Sequence, residues 1–181
     1  MTTTIEAGAT PPLHRATIPP FLAALDRMAA TLAKAEGRLG PRFAEALAQR
    51  PATDMFPAAQ QVATAVQFTL RVAFPLAGRR PPELRGALDA EGLRARIAEA
   101  RELLAALPPE AFEGAETRAV RANAGFAVLE LPGEAFVGAF GLPNVYFHMA
   151  MAHVALKQAG APLGKADFDG LHDYPAGFSF G

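Results

Sequence analysis

The chain has 181 residues, of which 51% are hydrophobic and 19% are charged, and its formal net charge is -1. This length and composition predict one globular domain with a sizeable core, and the charge balance gives no reason to expect nucleic acid or a membrane surface as a partner. The absence of cysteine excludes disulfides, thiol nucleophiles and cysteine metal sites. Segment 1–12 lacks the regions of a signal peptide, and no apolar run is long enough to span a membrane, so we expect a cytoplasmic protein.

Residues 1–16 predict a flexible N-terminal arm. Apolar residues then recur at the spacing of an amphipathic helix, which predicts a first long helix that ends near Gly37 and Gly40. These apolar residues are Ile18, Phe21, Leu22, Leu25, Met28, Ala29 and Leu32. A short helix over 42–49 is expected to follow.

Two more long helices are predicted in the middle of the chain. A loop over 51–57 leads to the first of them, over 57–76, with Asp54 as its N-cap and Pro57 in its first turn. The other spans 89–107, where apolar residues alternate at spacings of four and three and form one buried seam. Those residues are Leu93, Ile97, Ala100, Leu104 and Leu107.

The hydrophobic period changes after the third long helix. Segments 117–121 and 126–130 favour β-structure, and the stretch between them, 122–125, contains Asn and Gly. This pattern predicts a small β-hairpin.

A fourth long helix is predicted over 134–158, interrupted or kinked near Pro143 and capped by Gly160. Residues 161–181 then form a tail rich in Gly and Pro, whose aromatic residues we expect to pack on the helices. These are Phe168, Tyr174, Phe178 and Phe180. The predicted fold class is therefore an all-α four-helix bundle over 17–160, with a small β-hairpin inserted between helices three and four.

The fourth helix carries the strongest candidate for a functional site. It is almost wholly apolar from Gly141 to His153 but holds two histidines, and a buried histidine needs a hydrogen-bond partner, a metal or water. Three interpretations of His148 stay open: a core histidine bonded to a carbonyl or side chain, a ligand-binding residue, or a metal ligand. Pairing with Asp54 would raise the pKa of His148 and form a general-base couple.

Three further polar residues complete the predicted ligand-binding set, which is His148, Asp54, Gln61, Tyr146 and Asn144. Gln61 follows Asp54 by seven residues, so the two share a helix face if Asp54 lies in the first turn. Asn144 is expected to cap a helix restart after Pro143, and Tyr146 either supplies a hydroxyl group to the site or fills the core.

The other histidines are weaker candidates. His153 follows His148 by five residues, which corresponds to a turn of about 140° around an α-helix, so the two rings point to different sides unless a π-bulge realigns them. His14 and His172 lie in the predicted arm and tail, where we expect them to be solvated.

Other residues indicate structural roles or exclude reaction classes. Lys165 and Asp167 are expected to hold the tail on the bundle. Phosphate-binding glycine motifs, GxSxG and HExxH are absent, and the only serine is Ser179. A serine hydrolase is therefore not expected.

Three groups of residues carry a family resemblance. They are Asp54-Met55-Phe56-Pro57 with Gln61-Val62, then Pro143-Asn144 with Tyr146-Phe147-His148, and finally Gly160, Leu163-Gly164-Lys165, Asp167-Phe168 and Gly170. Over 17–170 the chain resembles the uncharacterised bacterial family known as domain of unknown function 1993, which is grouped with the DinB/YfiT-like superfamily. The resemblance implies an up-down-down-up four-helix bundle, often dimeric.

Many members of that superfamily bind a divalent metal through three histidines, one on the second helix and an HxxxH pair on the fourth, and some are thiol-dependent transferases or isomerases. This chain departs from the pattern because 57–76 contains no histidine and position 152 is Ala152. We therefore predict no cofactor and no complete three-histidine metal site.

Three functional hypotheses follow, and the sequence leaves open whether the protein is an enzyme. In the first, the bundle binds a small ligand near His148. In the second, the protein is a degenerate metal-dependent transferase or hydrolase-like enzyme, in which His148 and carboxylate or water ligands hold a divalent metal. In the third, it is a structural protein that forms a homodimer through a bundle face.

Overall fold

The computed structural model describes residues 10–175 and 178, and within them the chain is mainly helical. Its elements, in chain order, are α1 (Pro12–Leu39), a 3₁₀ turn (Gly40–Arg42), α2 (Phe43–Ala48), α3 (Ala58–Leu76), α4 (Ala90–Ala105), a 3₁₀ turn (Pro109–Phe112), β1 (Ala119–Ala124), β2 (Ala127–Pro132), α5 (Gly133–Ala135), a π-helical segment (Phe136–Gly141), α6 (Leu142–Gln158) and α7 (Lys165–Asp169). No helix in this part of the chain combines the length and apolar character that a membrane crossing requires.

The four long helices form a bundle in which α3 contacts α1, α4 and α6. Most residues of α3 are buried because its sequence is apolar on nearly every side. The α3–α6 contact is the most extensive, and Gly141 permits it: a Cβ atom at this position would lie 2.9 Å from both methyl groups of Val72. The predicted bundle with a hairpin between its third and fourth long helices is confirmed.

Helix α1 begins earlier than the sequence predicts. It starts at Pro12, not near Ile18, so the predicted arm over 1–16 is wrong from residue 12 onward, and residues 1–9 lie outside the described part. Proline is tolerated at position 12 because a backbone N–H in the first turn of a helix has no acceptor within that helix, so its absence costs no hydrogen bond. Pro19 and Pro20 lie inside the helix, since the burial of one continuous apolar face outweighs their two missing hydrogen bonds.

Helix α3 also begins differently from the prediction. Asp54 does not cap it, because the first helical residue is Ala58 and the N-cap is Pro57, whose backbone is extended. Instead, Asp54 is exposed in a turn in which the Met55 amide donates to the Ala52 carbonyl. The Ala58 amide finds its acceptor in the carbonyl of Gln49, 2.8 Å away.

The predicted interruption near Pro143 is a π-helical segment that ends at Gly141, directly before α6. The predicted capping role of Asn144 is wrong, because the N-cap of α6 is Gly141 and Asn144 is already helical. Its side-chain Nδ2 donates instead to the carbonyl of Phe140, one turn earlier, at 2.7 Å. Asn144 thus ties α6 to the end of the π-helical segment.

The hairpin is present, but its turn is shifted from the predicted 122–125. Ala124 pairs with Ala127, which leaves Gly125 and Phe126 as the two turn residues. Gly125 has φ of 60°, which suits the first position of a type II′ turn. Because only this glycine accepts that conformation without strain, the turn centres on it, and Phe126 lies fully exposed at the tip.

The start of the tail packs on the bundle through α7. Phe168 lies against the hydrophobic core, and Asp167 accepts hydrogen bonds from Lys34 on α1 at 2.7 Å and from the Gly164 amide at 2.8 Å. Beyond α7, Leu171 and Phe178 are exposed. Lys165 is exposed as well, and Phe180 lies outside the described residues. Of the pair Lys165 and Asp167, Asp167 is the residue that anchors the tail.

Candidate functional site

A hydrogen bond between α3 and α6 joins two of the predicted site residues. Nδ1 of His148 lies 2.7 Å from Oε1 of Gln61, whose side chain is only 1% exposed. The Nε2 atom of the same Gln61 donates to the carbonyl of Phe56 at 3.3 Å. Both ends of the buried amide are therefore paired, as a buried polar group requires.

These two hydrogen bonds assign the tautomer of His148. Nε2 of Gln61 donates to a carbonyl, so Oε1 is the atom that faces the imidazole, and an amide oxygen can only accept. Nδ1 of His148 must then carry a proton, and in the neutral ring the lone pair lies on its Nε2. The arrangement follows the general rule that one ring nitrogen sets the state of the other.

Three phenylalanine rings surround the imidazole of His148. The rings of Phe68 and Phe56 lie nearly parallel to it, with centroids 5.6 and 6.4 Å away, and Phe147 presents an edge at 5.2 Å. Burial among these rings lowers the pKa of His148 below the usual value of 6.5, because the charged form loses its hydration. The neutral form of His148 is therefore favoured near pH 7.

Nε2 of His148 makes no hydrogen bond within the described residues. The ring is half-buried, and Nε2 is not fully enclosed, unlike the unpaired Nδ1 of His14. Phe56 and Phe147, which flank the ring, are themselves half-exposed. The site thus presents a neutral hydrogen-bond acceptor at the surface, bordered by aromatic carbon.

The structure does not form the predicted Asp–His pair. Asp54 is exposed and has no hydrogen bond or ion pair among the described residues, so Gln61 is the partner of His148. Tyr146 precedes His148 by two residues, which is about 200° around α6, and its side chain is 40% exposed. Asn144 shares the face of His148, but its amide is engaged with Phe140.

The two histidines of α6 contact different elements. His148 faces α3, whereas His153 presents its ring to the edge of Phe168 on α7, with centroids 6.1 Å apart. Burial lowers the pKa of His153, and the nearby Asp167 carboxylate opposes this shift. The π-helical segment ends before both residues and therefore does not realign them.

The prediction that His14 is solvated is wrong. Because α1 begins at Pro12, His14 lies in a helix and packs against the edge of Phe112, with ring centroids 5.2 Å apart. Burial lowers its pKa, and its Nδ1 is enclosed without a partner among the described residues. His172 is exposed as expected, and it pairs with Asp169 in the tail.

The residues around His148 do not fit the three-histidine metal site that the resemblance implies. Its neighbours are an amide and three phenyl rings, and Ala152 is buried in the core one turn later. Within the described residues, no three His, Cys, Asp or Glu side chains converge at a distance suitable for one ion. A catalytic metal requires about three protein ligands, so we derive no metal chemistry for this site.

Sequence reasoning missed the phenylalanines that border His148. Phe68 follows Gln61 by seven residues, which places both on one face of α3. From that spacing, Phe68 could have been predicted to lie near the same site as Gln61. Phe56 precedes the helix, and only the fold brings its ring to the imidazole.

Comparison with known proteins agrees with this architecture. The family described as domain of unknown function DUF1993 matches residues 13–169. The solved structure of a DinB family member from Shewanella denitrificans superimposes with a TM-score of 0.80 at 26% identity, covering 91% of this chain and 95% of the other. No curated protein matches the sequence. The chain therefore belongs to the DUF1993 family and has the fold of a DinB-like four-helix bundle.

Proposed function

We propose that the protein binds a small, largely apolar molecule that donates an O–H or N–H hydrogen bond to Nε2 of His148. The hydrogen bond between His148 and the buried Gln61 carries this proposal. It keeps a proton on Nδ1, so the lone pair of the neutral ring lies on Nε2, the nitrogen that does not bond Gln61. Phe56 and Phe147 supply half-exposed aromatic carbon on which the apolar part of such a ligand would pack.

The lowered pKa of His148 supports the same proposal. A protonated imidazole donates from both nitrogens and cannot accept, whereas the neutral ring favoured here accepts through Nε2. The bond to Gln61 also satisfies Nδ1–H of His148, so Nε2 is the ring nitrogen that remains for a ligand.

Phenol and anisole provide a matched pair of probes, since both have an aromatic ring and only phenol donates a hydrogen bond. We expect phenol to shift the ¹⁵N signal of His148 Nε2 saturably, and to bind about three- to tenfold more tightly than anisole, the usual worth of one hydrogen bond. The variant His148→Phe should lose this preference, and the control His153→Phe should keep it. Equal binding of phenol and anisole by the wild-type protein would disprove the proposal.

A second candidate function is self-association, favoured by the apolar outer face of α6. Tyr146, Phe147 and Val154 are 40%, 50% and 37% exposed, and no charged residue occurs between 142 and 156. Exposed apolar side chains that cluster on one face are typical of interfaces, and a two-fold dimer would bury the same face of both copies.

Sedimentation equilibrium tests this second candidate. We expect the wild-type protein to dimerise and the variant Val154→Lys to dissociate at least about tenfold more readily, because a lysine placed in an apolar interface loses its hydration. Leu171→Lys is the matched control, since Leu171 is also exposed but lies beyond α7. A wild-type protein that stays monomeric at millimolar concentration would rule out this interface.

A further inference from the structure

A second site lies apart from His148, on the outer face of α3. Here a cleft of about 740 Å³ runs between α3, the loop over 79–88 and strand β1, a volume within the range of small-molecule sites. Its polar lining comes from four separate segments. The side chains involved are Gln60, Thr64, Gln67, Arg71, Arg80, Glu83, Arg96 and Asn123.

The cleft is positively charged although the chain as a whole is slightly acidic. Three arginines line it, Arg71, Arg80 and Arg96, against a single acid, Glu83. The carboxylate of Glu83 is 81% exposed, and its nearest cation is Arg85, 3.8 Å away. The lining therefore has an excess of positive charge that no residue of the cleft neutralises.

Arg71 is the cation most in need of a counter-ion. Its guanidinium is half-buried over the ring of Phe68, 4.4 Å from the centroid, and Nη2 donates to the carbonyl of Asn123 at 2.8 Å. Within the described residues it forms no ion pair, and burial lowers its pKa. A guanidinium stays protonated near pH 7 even so, and its remaining N–H groups are free to bind an anion.

The cleft is held in shape by its own residues. Arg96 donates to the carbonyls of Leu84 and Gly86, both at 2.8 Å. Gln67 donates to the carbonyl of Pro82 at 2.8 Å and accepts from the Leu84 amide at 3.0 Å. These bonds fix the loop to α3 and α4, so a ligand would not have to order it on binding.

We propose that this cleft binds a small molecule through its phosphate or carboxylate group, with Arg71 and Arg80 as the anion ligands. The planar guanidinium matches the paired oxygens of both groups. Gln60 and Thr64, on the same face of α3, lie within the cleft to hydrogen-bond the rest of the molecule. His148 is not among the residues that line the cleft, and the two sites meet at Phe68, whose ring contacts both Arg71 and His148.

The test is an NMR titration of the full chain with the ionic strength held at about 0.1 M, with inorganic phosphate and acetate as probes and sodium chloride as the reference. We expect a saturable shift of the Arg71 Nε–Hε signal with at least one of the two probes and none with chloride. The probe that binds more tightly identifies the preferred group. Arg80→Gln, followed at this signal, and Arg71→Gln, followed at the backbone amide of Asn123 in the lining, should each weaken binding about tenfold, since each removes a charge-assisted hydrogen bond.

Arg79→Gln is the matched control, because it removes the same charge one residue away from Arg80 but outside the lining. The affinity of this variant for the phosphate or acetate probe should stay within about twofold of wild type, since salt and water screen the attraction between the probe and an exposed charge outside the site. An equal loss in Arg79→Gln and Arg80→Gln would show a general field effect and overturn the proposal, as would the absence of any saturable shift. Arg80 is exposed, so the fold does not depend on it. Binding at wild-type affinity by His148→Phe would show that this site is independent of the ligand proposed at His148.

Discussion

Gln61 determines which ring nitrogen of His148 carries the proton in the neutral form. A buried amide with both ends paired contributes to stability, whereas a buried group left unpaired costs about 1–3 kcal/mol. Gln61 meets this demand by bonding His148 on α6 and the Phe56 carbonyl ahead of α3. The same pair of bonds determines which nitrogen of the imidazole is open to a ligand.

We expect Gln61→Leu to lower the free energy of unfolding by about 1–3 kcal/mol, because Nδ1–H of His148 and the Phe56 carbonyl would both lose their partner. Urea denaturation measures this loss, and the ¹⁵N shifts of His148 should show a mixture of tautomers in the variant. The neighbouring Gln60→Leu is the control, since Gln60 is half-buried and its side-chain amide donates to Thr64, one turn along the same helix. Similar losses in the two variants would contradict the importance of the His148 bond.

At the scale of elements, the close contact of α3 with α6 depends on the absence of a side chain at one position. Gly141 ends the π-helical segment, and Val72 of α3 lies directly against it. Three residues earlier, Gly138 occupies the same segment but has open space beside it. A comparison of alanine substitutions at these two glycines therefore distinguishes the effect of packing on stability from the effect of backbone freedom.

We expect Gly141→Ala to destabilise the protein by about 1–3 kcal/mol, because the added methyl group would overlap the side chain of Val72. Gly138→Ala should be neutral or stabilising by up to about 1 kcal/mol, since alanine restricts the unfolded chain and meets no obstacle. Guanidinium denaturation of both variants checks the difference. A loss in Gly138→Ala as large as that in Gly141→Ala would mean that the segment itself, not its contact with Val72, requires glycine.

At the scale of the whole molecule, burial couples the protonation of three histidines to folding. His14 lies on α1, and His148 and His153 lie on α6, and burial lowers the pKa of each below 6.5. His148 has no acidic partner, whereas His153 has Asp167 nearby, together with Lys157 and Lys34. All three shifts have the same sign, so their effects on stability add.

We expect the free energy of unfolding to fall as the pH decreases from about 7. Below 6.5 the unfolded chain takes up protons on these histidines while the folded chain does not, so stability is lost until the pH passes the lowered pKa values of the folded state. Asp167 and Asp169, the latter with a pKa of about 2, add a further loss below about 4. Urea denaturation between pH 7.5 and 5 tests this, and His148→Phe with His153→Phe should flatten the slope. A protein that gains stability over that range would contradict the sign.

Much of the fold is readable from the sequence, since helix formation depends on near neighbours. The spacing of Leu93, Ile97 and Leu104 marks the buried side of α4 without reference to any other segment. Starts and turns were less predictable, because α1 continues through Pro19 and Pro20 only by burying its face on the bundle. Likewise, the hairpin turn depends on how Ala124 pairs with Ala127 across the strands.

The sequence by itself determined the four long helices, the inserted hairpin and the family. It also made His148 a candidate site residue, because a histidine in an apolar helix must find a hydrogen-bond partner wherever the helix lies. Only the tertiary structure decided that this partner is Gln61 and not Asp54, since the acceptor comes from another helix. The cationic cleft was beyond sequence reasoning for the same reason. Arg71, Arg80 and Arg96 are spread along the chain as ordinary charges, and they acquire a common environment only when α3, α4 and their connecting loop pack together.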